Sequence, residues 1–182
     1  MQPWYIATET FSPRDVEAWE KYVAWSGLKQ LDEVVSLDSM LCPSVLDDIG
    51  ADYWAHIVNE DYMLAFFVDL EFLLAQLSID VKRNLLCVFR NPPDPPGPPV
   101  LSMGAVTFEF LGYDLVDVMA TASALTNCGG FPEIFDNREL SSKGLLTSHG
   151  RAYEVQAALR ARYPDKSQTN CHVWAIFRAV SP

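Results

Sequence analysis

Apolar positions recur with two different periods along this chain, and the periods divide it into elements. Pro3 to Thr10 alternates weakly and is rich in aromatic and β-branched residues, which predicts a first strand. Ser12-Pro13 predicts a helix start, with a hydroxyl N-cap and proline at the first helical position. Val16, Trp19 and Val23 then repeat at i, i+3 and i+7 on one face. Glu17 and Lys21 form an i,i+4 pair in the favourable order, and Gly27 supplies a stop. Near the other end, Thr147 or Ser148 caps a helix to about Arg162, with Ala152, Val155, Leu159 and Tyr163 on its apolar face. Arg160 and Arg162 suit the negative end of its dipole, and Pro164 ends it. Asn170 to Val180 closes the chain as a long alternating strand. Trp174, Ile176 and Arg178 share one face of it, and Val173, Ala175 and Phe177 the other.

The middle is less regular. Val34 to Leu37 reads as a short strand or the end of a turn, and Cys42-Pro43-Ser44 as the start of a short helix to about Ile49. Tyr62 to Val68 predicts a buried strand. Asp69 caps a helix to about Leu77, with Phe72, Leu73 and Leu77 inward. Asn84 to Arg90 is a further buried strand, and Ala105 to Leu115 a half-buried one, with Val106, Phe108 and Phe110 alternating against Thr107, Glu109 and Leu111. Pro92 to Pro99 holds six prolines in eight residues, so residues 91–99 form an exposed loop of polyproline II character, a stiff connector. Thr126 to Gly130 is a tight loop. No repeat and no regular βαβ alternation is present. The pattern therefore predicts one α+β domain over residues 1–182: a mainly antiparallel sheet, two longer helices and short helical turns.

Charge changes this picture by being regional. The chain has 24 acids and 13 bases, a formal charge of −11. No Lys or Arg lies between Lys29 and Lys82, a stretch with eleven acids: Asp32, Glu33, Asp38, Asp47, Asp48, Asp52, Glu60, Asp61, Asp69, Glu71 and Asp80. The remaining acids and bases balance. A one-signed surface disfavours nucleic acid and membranes and steers towards basic partners. The longest apolar run, Met63 to Val68, is too short to span a bilayer, and no basic n-region and h-region open the sequence, so a cytoplasmic protein is expected. Cys42, Cys87, Cys128 and Cys171 are spaced by 45, 41 and 43 residues, which matches neither a compact disulfide framework nor a zinc knuckle. They read as reduced thiols, and no cofactor is implied.

Two runs carry a resemblance. Val35-Ser36-Leu37-Asp38-Ser39-Met40-Leu41-Cys42-Pro43 is one; Gly112-Tyr113-Asp114-Leu115 with Ala124-Leu125-Thr126-Asn127-Cys128-Gly129-Gly130 is the other. Together they resemble a group of bacterial proteins of unknown function, a likeness that brings no active site with it. By size and charge alone, the chain is also similar in type to immunity proteins of toxin–antitoxin pairs.

Candidate chemistry is sparse. The sharpest enzymatic reading is a thiol-dependent hydrolase or transferase at Cys128. His149 or His172 would act as base, Asn127 or Asn170 would orient it, and the Gly129-Gly130 amides would form an oxyanion hole. An acidic setting opposes it by raising a thiol pKa. His56 and Glu60 lie at i, i+4, a metal-binding spacing only if helical, and Asp47-Asp48 with Asp52 lack EF-hand spacing. Cys171 and His172 face opposite sides of a strand. No metal is therefore predicted.

Recognition by surface is the leading expectation. Acids interleave with Tyr53, Trp54, Tyr62, Phe66, Phe67 and Phe72, and aromatic anchors ringed by charge are what tight interfaces use. The expected contacts are Asp47, Asp48, Asp52, Trp54, Glu60 and Asp61, on a basic protein partner such as a toxin. The same pattern also describes a core with aromatics inward and acids on its rim. In that case a structural or ligand-carrying domain is what remains.

Overall fold

The computed structural model describes residues 2–46, 53–58, 60, 62–77, 83–96, 99–127 and 130–180. Its strands are β1 (Trp4–Glu9), β2 (Arg83–Arg90), β3 (Val100–Met103), β4 (Val106–Asp117) and β5 (Cys171–Ala179). They form one sheet in the order β1-β2-β5-β4-β3, and every pairing is antiparallel. The helices are α1 (Val16–Ser26), α2 (Leu70–Gln76) and α3 (His149–Arg162). The α+β architecture is thus as the periodicity predicts.

The last strand sits in the centre, which is why it is apolar on both faces. On one face Val173, Ala175 and Phe177 join Tyr5, Ala7, Cys87, Phe89 and Leu115 under Ala152, Val155 and Leu159 of α3. On the other, Trp174 and Ile176 join Ile6, Leu86, Val88 and Val116 beneath loop residues Val35, Leu37, Leu64, Phe66 and Leu145. Trp174 and Phe66 stack with ring centroids 5.1 Å apart. Helix covers one face and chain without regular structure covers the other. A strand over Tyr62–Val68 does not form: Phe67 makes single bridges to Tyr5 and Ile57. The segment crosses the sheet as a lid and bonds at intervals, from Phe67 at β1 to Met63, whose N–H donates to the Met119 carbonyl.

A bulge between Phe110 and Gly112 resets the alternation of β4. Phe108 and Phe110 face the helix layer, and after the bulge Tyr113 and Leu115 do so too. Uninterrupted alternation would have turned them to the opposite side. The same shift places Asp114 on the loop-covered face. Gly112 is required here, because at φ 149° a Cβ would lie 2.7 Å from the Leu146 carbonyl oxygen.

Helix α1 begins later than Ser12-Pro13 predicts. Its N-cap is Asp15, whose carboxylate accepts from Ala18 N, while Ser12 O accepts from Asp15 N in a preceding turn. Its buried residues are Trp19 and Tyr22; Val16 is exposed. Gly27 ends it in the left-handed conformation, and Lys21 Nζ sits 2.6 Å from Glu17. Asp69 caps α2 and Ser148 caps α3. Residues 43–46 are not helical, and the remainder of the helix expected to reach Ile49 lies outside the described residues.

Candidate functional site

The two resembling runs meet in space. Asp114, in the middle of β4, is fully buried and accepts four hydrogen bonds. Ser36 Oγ donates at 2.5 Å and Leu37 N at 3.2 Å to one oxygen; Ser123 Oγ donates at 2.6 Å and Leu115 N at 2.8 Å to the other. Asp38, equally buried, accepts from Met40 N, Leu41 N and Ser123 N at 2.8–2.9 Å. Ser123 thus touches both acids, through its hydroxyl and its backbone. Burial pushes the Asp114 carboxyl up to about 6, against the opposing pull of the two serine hydroxyls. Burial also raises Asp38, opposed by its backbone donors. Asp117, where β4 ends, accepts from Met119 N, Thr121 N and Ala122 N and holds the following turn, in which Ala120 takes φ 55°. These three carboxylates organise loops. Their bonds are spent on backbone and serine donors, with the Asn127 side chain also on Asp38.

At the end of the sheet where β2 stops and β5 starts, the histidines have structural partners. His172 Nδ1 lies 2.9 Å from Asn91 Nδ2, and Asn91 Oδ1 accepts from Val173 N at 3.0 Å. Asn91 takes φ 47°, a conformation asparagine tolerates better than most residues. The next carbonyl, of Pro92, faces His149 Nε2 at 2.9 Å and accepts from Tyr153 OH at 2.8 Å. Both histidines proposed as bases therefore grip the first two residues of the proline-rich loop. Burial, with Arg90 and Arg160 nearby, lowers the pKa of His172. Beside it, Arg90 spans both oxygens of Glu60 and also bonds Tyr62 OH. The same guanidinium lies over the Trp4 ring, 4.9 Å from its centroid.

Asp47, Asp48, Asp52 and Asp61, four of the six expected contacts, lie outside the described residues, and so does Cys128. Trp54 is 63 % exposed. Glu60 is exposed but committed to Arg90, whose hydrogen bonds hold its carboxyl below the usual range. The base-free stretch contains six described acids, and most have internal work. Asp38 is in the buried knot, Glu33 is held by Lys143 and Arg178, Glu60 by Arg90, and Asp69 caps α2 beside His56. Asp32 and Glu71 have no ion-pair partner among the described residues. Asp38 is fully buried and the Glu33 side chain only 15 % exposed, so neither adds to an exposed acidic surface.

The helical metal spacing of His56 and Glu60 is not realised, because His56 stacks on Phe72 at 3.7 Å and Glu60 turns to Arg90. No metal-binding group of three or more side chains occurs among the described residues. Cys42, Cys87 and Cys171 are buried thiols in no disulfide, with Cys42 Sγ donating to the Val34 carbonyl; burial raises the pKa of each, Cys87 and Cys171 to about 12. No described helix is long and apolar enough to cross a membrane.

The carboxylate knot escaped sequence reasoning because Asp38 and Asp114 lie 76 positions apart and each looks like an ordinary surface acid. A signal was present at Asp114: it sits between Tyr113 and Leu115, in a strand whose bulge the alternation alone does not reveal. No family model matches the chain, and neither a curated protein nor a solved structure matches it.

Proposed function

We propose that this is an acidic binding protein of the cytoplasm that blocks a basic protein partner, in its concrete form an immunity protein neutralising a cognate toxin. The observation that carries the reading is Trp54. Among the described aromatics of the base-free stretch, Phe66 and Phe67 are 1 % exposed and Tyr53, Tyr62 and Phe72 are partly buried, but Trp54 is 63 % exposed. Tryptophan is among the residues most enriched at energetic centres of interfaces. Met63 and Met119, joined by a backbone hydrogen bond at 2.8 Å, add a second exposed apolar spot of adaptable side chains. A charge of −11 supplies long-range steering towards a cationic surface.

The test is co-expression with the product of the neighbouring gene, followed by capture at low and high salt. A complex that weakens with salt, and that Trp54→Ala weakens by at least about tenfold, is the expected result; truncation at an interface centre costs at least about 1–2 kcal/mol. Capture of no protein at low salt, or a complex indifferent to Trp54→Ala, would overturn it.

A further inference from the structure

The two outer strands of the sheet end differently. Along β1, Tyr5 exchanges both backbone hydrogen bonds with Phe67, Ala7 O accepts from Val45 N, and Glu9 N donates to Pro43 O. These are alternate residues, the ones whose backbone groups face away from β2. Irregular chain therefore closes that edge of the sheet.

The opposite edge is β3, and no described residue closes it. The ladder shows which groups it leaves open. Phe110 N donates to Pro99 O at 2.7 Å, and Val180 N donates to Thr107 O at 2.8 Å. On this stretch of β4 the even-numbered residues therefore bond to β3 and the odd-numbered ones to β5, as alternation in an antiparallel sheet requires. Leu101 and Met103 stand at bonded positions, opposite Phe108 and Val106; Val100 and Ser102 stand at the unbonded ones, opposite Glu109 and Thr107. The N–H and C=O groups of Val100 and Ser102 thus point out of the sheet, and none has a hydrogen bond among the described residues. Both residues are exposed, Val100 at 47 %. The devices that commonly blunt an edge are missing within β3, which has neither a charge nor a bulge. Pro99 does not supply one, because the N–H it lacks would face β4.

Charge selects what can pair here. Residues 95–108 carry no charged side chain, a run of fourteen in a chain that is 20 % charged. A cationic partner finds no counter-charge on this strand. A second copy fits it, because antiparallel pairing about Leu101 is self-complementary: Val100 meets Ser102 of the other copy and Ser102 meets Val100. Four backbone hydrogen bonds form, and Leu101 meets its own counterpart at an unbonded position, where side chains approach most closely. That contact extends the apolar layer against which Leu101 already packs. The strands carrying the two Glu109 residues are then three strand spacings apart, about 14 Å, which exceeds the Debye length of about 8 Å at physiological ionic strength.

We propose that β3 is a self-association edge, on which a second copy of this chain pairs antiparallel about a two-fold axis at Leu101 and continues the sheet. A four-residue edge buries less than the roughly 1,200 Å² of a standard interface, so the dimer is weak and concentration-dependent. Trp54 belongs to the segment that bridges Phe67 at the β1 edge. The pairing therefore leaves the proposed docking surface open and does not rest on it.

The test is sedimentation equilibrium of the full chain from micromolar to millimolar protein, in about 0.02 and 0.5 M sodium chloride. Amide hydrogen exchange, read by NMR at both ends of that protein range, locates the contact. The expected result is a monomer–dimer equilibrium that strengthens with salt, since both copies carry the same net charge, and protection of the Val100 and Ser102 amides at high concentration only. Ser102→Pro removes an outward N–H from each copy, two of the four joining bonds, and leaves the β3–β4 ladder intact. It should weaken the dimer tenfold or more, whereas Ser102→Thr keeps the N–H and should dimerise as the parent does. If Ser102→Pro fails to fold, exchange in the parent chain still decides. A monomer at millimolar protein in high salt, a dimer indifferent to Ser102→Pro, its loss in Ser102→Thr, or equal protection of the two amides at both concentrations would each overturn the proposal.

Discussion

Asp114 has four hydrogen-bond donors and, among the described residues, no ion-pair partner, so its carboxylate is held by dipoles in a site that water does not reach. Burial wins over those dipoles and carries the group up to about 6, from an ordinary value of 3.8. The sign of the consequence follows. A group whose folded pKa is raised contributes stability below its unfolded pKa and loses it as pH climbs through the folded value. Stability from this residue is therefore full below about pH 4 and gone above about pH 6, worth at most about 3 kcal/mol at roughly 1.4 kcal/mol per unit. Urea melts of the protein and of Asp114→Asn from pH 4 to 7 should show the parent losing stability relative to the variant as pH rises. Parallel curves would remove the effect. Asp114→Ala is different in kind. It strands two backbone N–H groups and two hydroxyls, and should cost at least about 3 kcal/mol at every pH. The three buried cysteines belong to the same category of group, since burial raises each thiol. None of Cys42, Cys87 and Cys171 should be alkylated in the native state at neutral pH, as peptide mapping after labelling would show.

The elements that were legible are those whose information is local. Helix α3 carries its cap at Ser148 and its basic residues at Arg160 and Arg162, and its bounds fall where the sequence puts them. Strand β5 is long and alternating and needs no distant partner to be recognised. Where the structure departs from local reading, a long-range contact has intervened. Phe11 bridges Val34, which pins the chain before α1, and the helix start moves from Ser12 to Asp15. Tyr62 to Val68 looks like a strand because it is buried, but it lies across the strands and pairs at single points. The base of the proline-rich loop makes the same point and can be tested. Asn91 spends its side chain on Val173 N and His172, and takes φ 47° to do so. Asn91→Gly removes the side-chain bonds but suits the backbone; Asn91→Ala removes the bonds and adds left-handed strain. Alanine should therefore be less stable than glycine at this position by about 1 kcal/mol, the reverse of their order in a helix. Equal melting of the two variants would show that the left-handed backbone contributes nothing here.

Taken across the molecule, the charge regionality read from the sequence is real, but its use is mixed. Arg90, Lys143 and Arg178 come from outside the base-free stretch to neutralise Glu60 and Glu33. What stays legible is the sum: ion pairs cancel locally, and a net −11 still surrounds the fold. What was hidden is which acids remain free, because that depends on contacts between positions far apart in the chain. Two electrostatic contributions then compete in the free protein. Excess negative charge repels itself and opposes compaction, while exposed pairs such as Glu17–Lys21 contribute little. The pair network around Glu33 is largely shielded from solvent, with that side chain 15 % exposed, so salt screens it less than it screens the surface. Screening should accordingly relieve more repulsion than attraction. Raising sodium chloride from about 0.02 to 0.5 M, which shortens the Debye length several-fold, should increase Tm by about 2–4 °C, the shift expected for roughly 1 kcal/mol in a chain of this size. A fall in Tm would mean that the internal pairs outweigh the repulsion. The acids would then be a balanced structural set, and a cationic partner would find no unrelieved field to neutralise.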